Sequence, residues 1–329
     1  MPPSADSARD HAPGPSTEDA TRPVTTARWL AYRLGEGLWR LLLRVLGVMP
    51  PDRFKRIFTP VVGFVVFCAV PRRRIVALMD AAFDDSCTTA AKRALARGVQ
   101  RSIAENTVDC LVQMGCPERL REILDIRGLE HLEAALSKGH GVIALGFHLG
   151  NFVLLTAAMG VAGHPVHGLI RFPDDERLAD LVRHHSRSFH VELIPSLPRR
   201  QAVGRILAAL RDNGTVLMLA DNLKRGELET TLFGQPVRTA RGFVSLALRT
   251  RAAVVPVYLV RGREGRLQLV IEPEMEMVRS GELGADLAAN TGRIMRLLEE
   301  LVRRYPDQWY WLTVRLGRRS GPPGSRNIA

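Results

Sequence analysis

His148 stands where an apolar run, Gly141–Gly146, gives way to Phe147-His148-Leu149-Gly150-Asn151-Phe152 and then to a second apolar run with helical spacing. That order reads as a buried strand delivering an imidazole to a strand-to-helix junction. At such a junction a histidine can act as general base, nucleophile, metal ligand or helix cap, because its charge changes nearest neutral pH. Metal ligation draws little from the pattern. His164 and His167 have helical spacing, but Gly163 and Pro165 flank the first, where no helix is expected. No G-x-S-x-G elbow supports a serine nucleophile.

Four further groups lie downstream. Arg171, in LIRFPDDE, follows a strand candidate, and Asp221-Asn222 closes TVLMLADN. Both share a rim with His148 if the sheet is parallel there. The segment ELETTLFGQPVRTARG, Glu227 to Gly242, supplies Glu229, Arg238, Thr239 and Arg241 and reads as a loop leading into a helix. Asp307-Gln308-Trp309-Tyr310-Trp311 gathers three aromatics before the basic residues Arg315, Arg318 and Arg319. A guanidinium suits phosphate oxygens through paired N–H donors, whereas a solvated face explains any one arginine equally well. For the Trp pair the structural alternative is core packing.

The elements that must position these groups follow from periodicity. Strands are expected at 141–146, 166–170, 191–194, 215–220, 253–260 and 267–271, alternating with helices near 129–138, 150–160, 176–188, 199–212, 240–250 and 285–304. The expected fold is therefore α/β, a mixed sheet flanked by helices from residue 124 to 318. Residues 25–123 read as a helical N-terminal region, with 1–24 and 319–329 as flexible tails. Thr26 to Val48 places Leu30, Leu34, Leu38, Leu41, Leu42 and Val45 on one helical face and Arg33, Arg40 and Arg44 on another. This pattern fits a helix docked on the protein's own core and an interfacial membrane helix alike. Ile57 to Val70 is nearly uncharged, interrupted by Pro60 and Gly63 and followed by Arg72-Arg73-Arg74. It is too short to span a bilayer comfortably and is expected to dip into the interface or to pack as a buried helix. Two or three helices fill residues 74–124, with a break at Asp84-Asp85-Ser86 and no catalytic grouping.

The 329 residues carry 46 Lys+Arg against 34 Asp+Glu, a formal charge of +12. An anionic partner is implied: nucleic acid, anionic lipid, or a phosphorylated or acidic carrier. No zinc-finger spacing, RNP-type motif or basic recognition helix supports nucleic acid, and aromatics are only 6%. Four cysteines without a C-x-x-C pair indicate neither a zinc site nor a disulfide framework, and suit a reduced, cytoplasm-facing protein. No P-loop or G-x-G-x-x-G follows a strand.

Taken together, the run DIRGLEHLEAALSKGHGVIALGFHLGNF, Arg171 with Pro173, Asp221-Asn222, Phe233-Gly234, Gly242, the strand AAVVPVYLVR and Pro306-x-Gln308-Trp309-x-Trp311 resemble the lysophospholipid acyltransferase superfamily. The branch resembled holds the bacterial lipid A lauroyl and myristoyl acyltransferases and the phosphatidylinositol mannoside acyltransferases. The resemblance runs from about Leu38 to Arg319 and implies acyl transfer from acyl carrier protein or acyl-CoA to a hydroxyl or amine of a lipid or glycolipid. It further implies a peripheral enzyme on the cytoplasmic face of the inner membrane, held by anionic lipid, with no cofactor and no metal. His148 would be the general base. The family's H-x4-[D/E] carboxylate falls at Val153, which cannot accept an imidazole N–H. Glu229, or failing it Asp221, is expected to substitute. Gly150 and Asn151 are expected to present backbone N–H groups to the anionic intermediate or the ligand, and Arg171, Arg238 and Arg241 to bind phosphate. Two other readings stay open: a catalytically silent relative that binds lipid or acyl carrier protein, and an acyltransferase of specialised metabolism with a non-glycolipid acceptor.

Overall fold

The computed structural model describes residues 44–45, 48–83, 87–113, 116–173, 175–223, 227–262 and 264–314. Most of them fall in one compact unit, Lys55–Ala329. The expected N-terminal tail, nearly all of the Thr26–Val48 helix, the Asp84–Ser86 break and the basic residues Arg315, Arg318 and Arg319 lie outside the described residues.

Three long helices come first: α1 (Pro51–Ala69), α2 (Arg72–Ala82) and α3 (Thr89–Gln113). Pro60 and Gly63 do not interrupt α1, and Arg72-Arg73-Arg74 opens α2. A short α4 (Pro117–Ile123) leads directly into β1 (Leu124–Arg127), which the apolar pattern had not marked because only four residues carry it. The α/β part continues as α5 (Leu129–Leu136), β2 (Val142–Gly146), α6 (Phe152–Val161), β3 (Val166–Ile170), α7 (Glu176–Ser188), β4 (Val191–Pro195), α8 (Arg199–Arg211) and β5 (Thr215–Leu219). There follow β6 (Leu228–Leu232), β7 (Gln235–Thr239), α9 (Gly242–Thr250), β8 (Ala253–Arg261), β9 (Leu267–Ile271) and α10 (Leu283–Arg304).

Among the described residues the main sheet has seven strands in the order β1-β9-β8-β2-β5-β3-β4. Strands β8, β2, β5, β3 and β4 run parallel, and β9 reverses the direction. The sheet is therefore mixed. Alternate residues of the central strands feed two cores. Ile143 and Leu145 of β2, with Val254, Tyr258 and Val260 of β8, join the larger one with α2, α3, α8, α9 and α10. Val142 and Ala144, with Val255, Val257 and Leu259, join the other with α5 and α6. A strand buried on both faces must be apolar throughout, which is why β2 and β8 read as unbroken apolar runs.

The Glu227–Gly242 segment corrects the loop expected there. It forms an antiparallel hairpin, β6 with β7, in the register Leu232↔Gln235 through Leu228↔Thr239. Its two-residue turn is Phe233-Gly234, both with positive φ (52° and 70°). Hairpin turns of this kind favour Asn-Gly or Asp-Gly, so phenylalanine at the first position hides the turn from sequence. Tertiary contacts hold it: the Phe233 N–H donates to Glu299 Oε1 at 2.5 Å, and its ring stacks on Trp311 with centroids 6.4 Å apart.

Candidate active site at the strand rim

The register explains how the central pair of side chains meets. In the parallel β2–β5 pair, Gly146 lies opposite Leu219. His148 and Asp221 each follow two residues later, at the carboxyl ends of adjacent strands, where an α/β sheet presents its ligand-facing groups. The imidazole Nδ1 lies 2.7 Å from Asp221 Oδ1, and the His148 backbone N–H donates to both carboxylate oxygens at 3.0 Å. Asp221 is fully buried, while His148 is partly open to solvent. A carboxylate facing Nδ1 makes that atom the N–H donor, which leaves the Nε2 lone pair to take a proton.

Glu229, the other acid expected from sequence, is not brought to His148. It sits on the hairpin with its side chain 81% exposed, 3.9 Å from Arg238 on the opposite strand. Arg241 pairs with Glu227 at 2.6 Å, and both guanidinium side chains are well exposed. Arg171 follows β3 directly, also on the surface. Thr239 is buried, its hydroxyl donating to Ala220 O at 3.5 Å, next to Asp221. The structure therefore joins Asp221 to His148 and leaves Glu229 and the three arginines apart from that contact. His164 and His167 do not share a site either: each faces its own carboxylate, Glu133 and Glu192.

Gly150 and Asn151 also differ from the expectation. The Gly150 N–H donates to Gln308 O at 2.9 Å and the Asn151 N–H to Leu259 O at 2.7 Å, so neither points at a ligand. They build the turn instead. Gly150 has φ +59°, and a Cβ there would lie 2.0 Å from Leu259 O, so only glycine fits. Asn151 is buried and caps α6, its Oδ1 accepting from Leu154 N and from the Cys110 thiol, its Nδ2 donating to Asn106 O. The Asn106 amide in turn donates to Gly150 O at 2.9 Å. Helix α3 is thus tied directly to the His148 turn.

The segment after α10 closes the other side. Tyr310 N–H donates to His148 O at 2.8 Å, and Leu149 and Trp309 form an isolated antiparallel bridge. Gln308 clamps Arg261 at the end of β8, accepting from its N–H and donating to its carbonyl. Arg261 then reaches Glu105 and Asp109 on α3, and Asp109 also pairs with Lys55 at 2.8 Å. Trp309 is fully buried and donates Nε1–H to Asp221 Oδ2 at 2.9 Å. In sequence this indole stood between core packing and a part in the site, and its only signal was the Gln-Trp-x-Trp block.

Helix α3, read from sequence as carrying no chemistry, forms one wall of a mostly apolar cavity of about 360 Å³. Val99, Ile103, Asn106 and Cys110 line it from α3, facing Phe152, Val153 and Tyr310. Phe152 joins the cavity to His148, its ring 4.7 Å from the imidazole in an edge-to-face contact. Val153 is 64% exposed, on the cavity wall. Burial, reinforced by neighbouring Asp109, pushes the Cys110 thiol up to about 12, which keeps it a neutral wall group.

A family profile described as bacterial lipid A biosynthesis acyltransferase matches residues 23–318. The chain is 26% identical over 196 residues to the phosphatidylinositol mannoside acyltransferase of Mycolicibacterium smegmatis, 59% of this chain and 62% of that one. It is 28% identical over 194 residues to the phosphatidylinositol mannoside acyltransferase of Mycobacterium tuberculosis (strain CDC 1551 / Oshkosh), 57% and 58% of the two chains. The lipid A biosynthesis palmitoleoyltransferase of Escherichia coli is 26% identical over 214 residues, 64% and 66%. The chain spans a little under two thirds of the length of these curated relatives.

Proposed function

Since the chain belongs to the bacterial lipid A biosynthesis acyltransferase family, we propose that it moves a fatty acyl group from acyl carrier protein or acyl-CoA to a hydroxyl or amine of a lipid or glycolipid. The observation that carries this reading is the 2.7 Å contact between His148 and a fully buried Asp221 beside an apolar cavity. His148 Nε2 takes the proton as the acceptor oxygen attacks the thioester carbonyl. The tetrahedral intermediate then collapses, the C–S bond breaks, and the imidazolium returns the proton to the departing thiolate. Asp221 holds the imidazole in the one tautomer that can do this and offsets its transient charge. The cavity is of the size and character that small-ligand sites have, about 300–1,000 Å³ and mostly apolar, and it suits the acyl chain. Arg171, Arg238 and Arg241 remain candidates for phosphate on the donor or acceptor.

The membrane part of the proposal rests on α1. Ile57, Val61, Phe64, Val65 and Phe67 are each half or more exposed, and the first four recur at the spacing of one helical stripe. Arg72, Arg73 and Arg74 follow at its end, with the Arg72 guanidinium over the Phe67 ring at 4.7 Å. An apolar stripe beside cations suits the interface of an anionic bilayer. No helix among the described residues is long and apolar enough to cross a membrane. The cytoplasmic face of the inner membrane is where both donors and lipid acceptors are at hand.

The deciding experiment is acyl transfer from labelled acyl carrier protein and acyl-CoA into a total lipid extract, comparing wild type with His148→Ala. Product that vanishes in the variant supports the proposal; equal product from both sinks it. In the same preparation, flotation with anionic vesicles should weaken in Phe64→Asp/Val65→Asp. Binding unchanged by those two charges would overturn the membrane reading.

A further inference from the structure

We propose that Trp309 is the positioning residue of the site: its indole N–H locks the Asp221 carboxylate in the one rotation that serves His148. The inference rests on the His148–Asp221 reading above and concerns how that pair is held.

Asp221 has no exposure to water, so its charge is tolerated only where protein donors replace hydration. Oδ1 accepts from His148 Nδ1 and shares the His148 backbone N–H, while Oδ2 receives the other half of that shared amide and the indole of Trp309. The backbone amide is equidistant from both oxygens and cannot tell them apart. A carboxylate turns easily about its last bond, because that torsion is broad and two-fold. Only a directed donor on Oδ2 stops Oδ1 swinging away from Nδ1, and Trp309 is the one the structure supplies among the described residues.

Trp309 is itself rigidly placed. Its backbone bridges Leu149, one residue past the base, and its ring packs edge-to-face on Trp311 at 4.8 Å and near Phe233 at 6.4 Å. Phe233 sits at the tip of the β6–β7 hairpin. The hairpin tip and the segment after α10 thereby fix an N–H aimed at the acid, and the same aromatic rings keep water from it.

Trp311 provides the internal control. It is equally buried and lies in the same aromatic group, but its Nε1–H donates to Pro306 O at 2.8 Å and not to the acid. The test compares Trp309→Phe, Trp311→Phe and a protein carrying the N–H-free isostere benzothienylalanine at 309, which preserves ring shape if phenylalanine packs poorly. A hydrogen bond to a charged group is lost, so kcat should fall about 10- to 100-fold in both 309 variants while KM for the donor stays near wild type. The low-field proton resonance of His148 Nδ1–H should move or broaden in them. Trp311→Phe loosens the packing around Trp309 but leaves the acid its donor, so it should lower kcat less than either 309 variant and leave that resonance nearer its wild-type position. Equal kcat losses at 309 and 311, or full activity with the isostere, would reduce Trp309 to core packing and overturn the proposal. Full activity in His148→Ala would instead defeat the underlying assignment of the base, so the two failures are distinguishable.

Discussion

Replacing Asp221 by asparagine changes one oxygen to an amide nitrogen in a site with no water, and both ways of placing that nitrogen fail. If it faces His148, it donates to Nδ1, so the imidazole proton moves to Nε2 and the atom facing the acceptor loses its lone pair. If it faces away, two donors, the amide nitrogen and Trp309 Nε1, meet at the 2.9 Å distance that a hydrogen bond occupies in the wild type. The first arrangement is the one that disables a catalytic histidine; in serine proteases the equivalent change lowers kcat about ten-thousand-fold. The second leaves a buried donor unpaired at a cost of about 1–3 kcal/mol. Asp221→Asn should therefore fold, melt somewhat lower than wild type, and lose three to four orders of magnitude in kcat. The assay is donor-thioester consumption coupled to mass-spectrometric detection of acylated lipid, with thermal unfolding run on the same samples. A variant within tenfold of wild type, alongside an inactive His148→Ala, would refute the claim that Asp221 sets the tautomer.

Gly150→Ala should destabilise by more than about 3 kcal/mol, because it combines left-handed backbone with a Cβ 2.0 Å from Leu259 O; calorimetry reads it as a fall in Tm of at least roughly five degrees. Asp286 accepts from the Ser280 hydroxyl, the Ser280 N–H and the Gly281 N–H, and these hold its carboxyl below the usual range. A depressed folded value contributes stability above the unfolded value, about 3.9, and that contribution is lost as pH falls through it toward the folded one. Denaturant titrations from pH 6 down to pH 3 should show that loss in wild type and a flatter profile in Asp286→Asn. Val153→Glu should not raise kcat, nor rescue Asp221→Asn, since His148 Nδ1 already faces Asp221 and the new carboxylate stands at a largely exposed position on the rim of the cavity. Its measurable effect should be a higher KM for long-chain donors than for short ones.

Much of the sheet was legible because its central strands are buried on both faces and must be apolar throughout. The six expected strands coincide with β2 to β5, β8 and β9 to within a residue or two. What escaped has a common cause: information held in long-range contacts. The β6–β7 hairpin turns on Phe233, a residue whose left-handed backbone is held by Glu299 and Trp311 and not by any local signal. Likewise α3 shows only a helix in sequence, and its wall in the cavity appears once Asn106 and Cys110 meet the Gly150–Asn151 turn. Gly150 was expected to present its N–H to the anionic intermediate or the ligand, whereas the turn uses that N–H to bind Gln308 O.

The carboxylate beside His148 comes from the end of β5, and not from the position five residues after it, where Val153 stands. An acid at that position would rise from the first turn of α6, whose start the Asn151 cap fixes and whose second residue, Val153, faces the cavity wall and solvent. Strand β5 offers a different route. Because β2 and β5 pair in parallel register, the residue two beyond the end of β5 arrives beside the residue two beyond the end of β2, although the two are 73 positions apart in sequence. An acid delivered this way sits below the imidazole in a dry pocket, where the Trp309 indole can reach it. An acid on α6 would sit at a wet rim, where its charge is screened and its orientation loose. With a carboxylate already at Nδ1 from the strand side, position 153 carries no acid and the cavity wall holds a valine there.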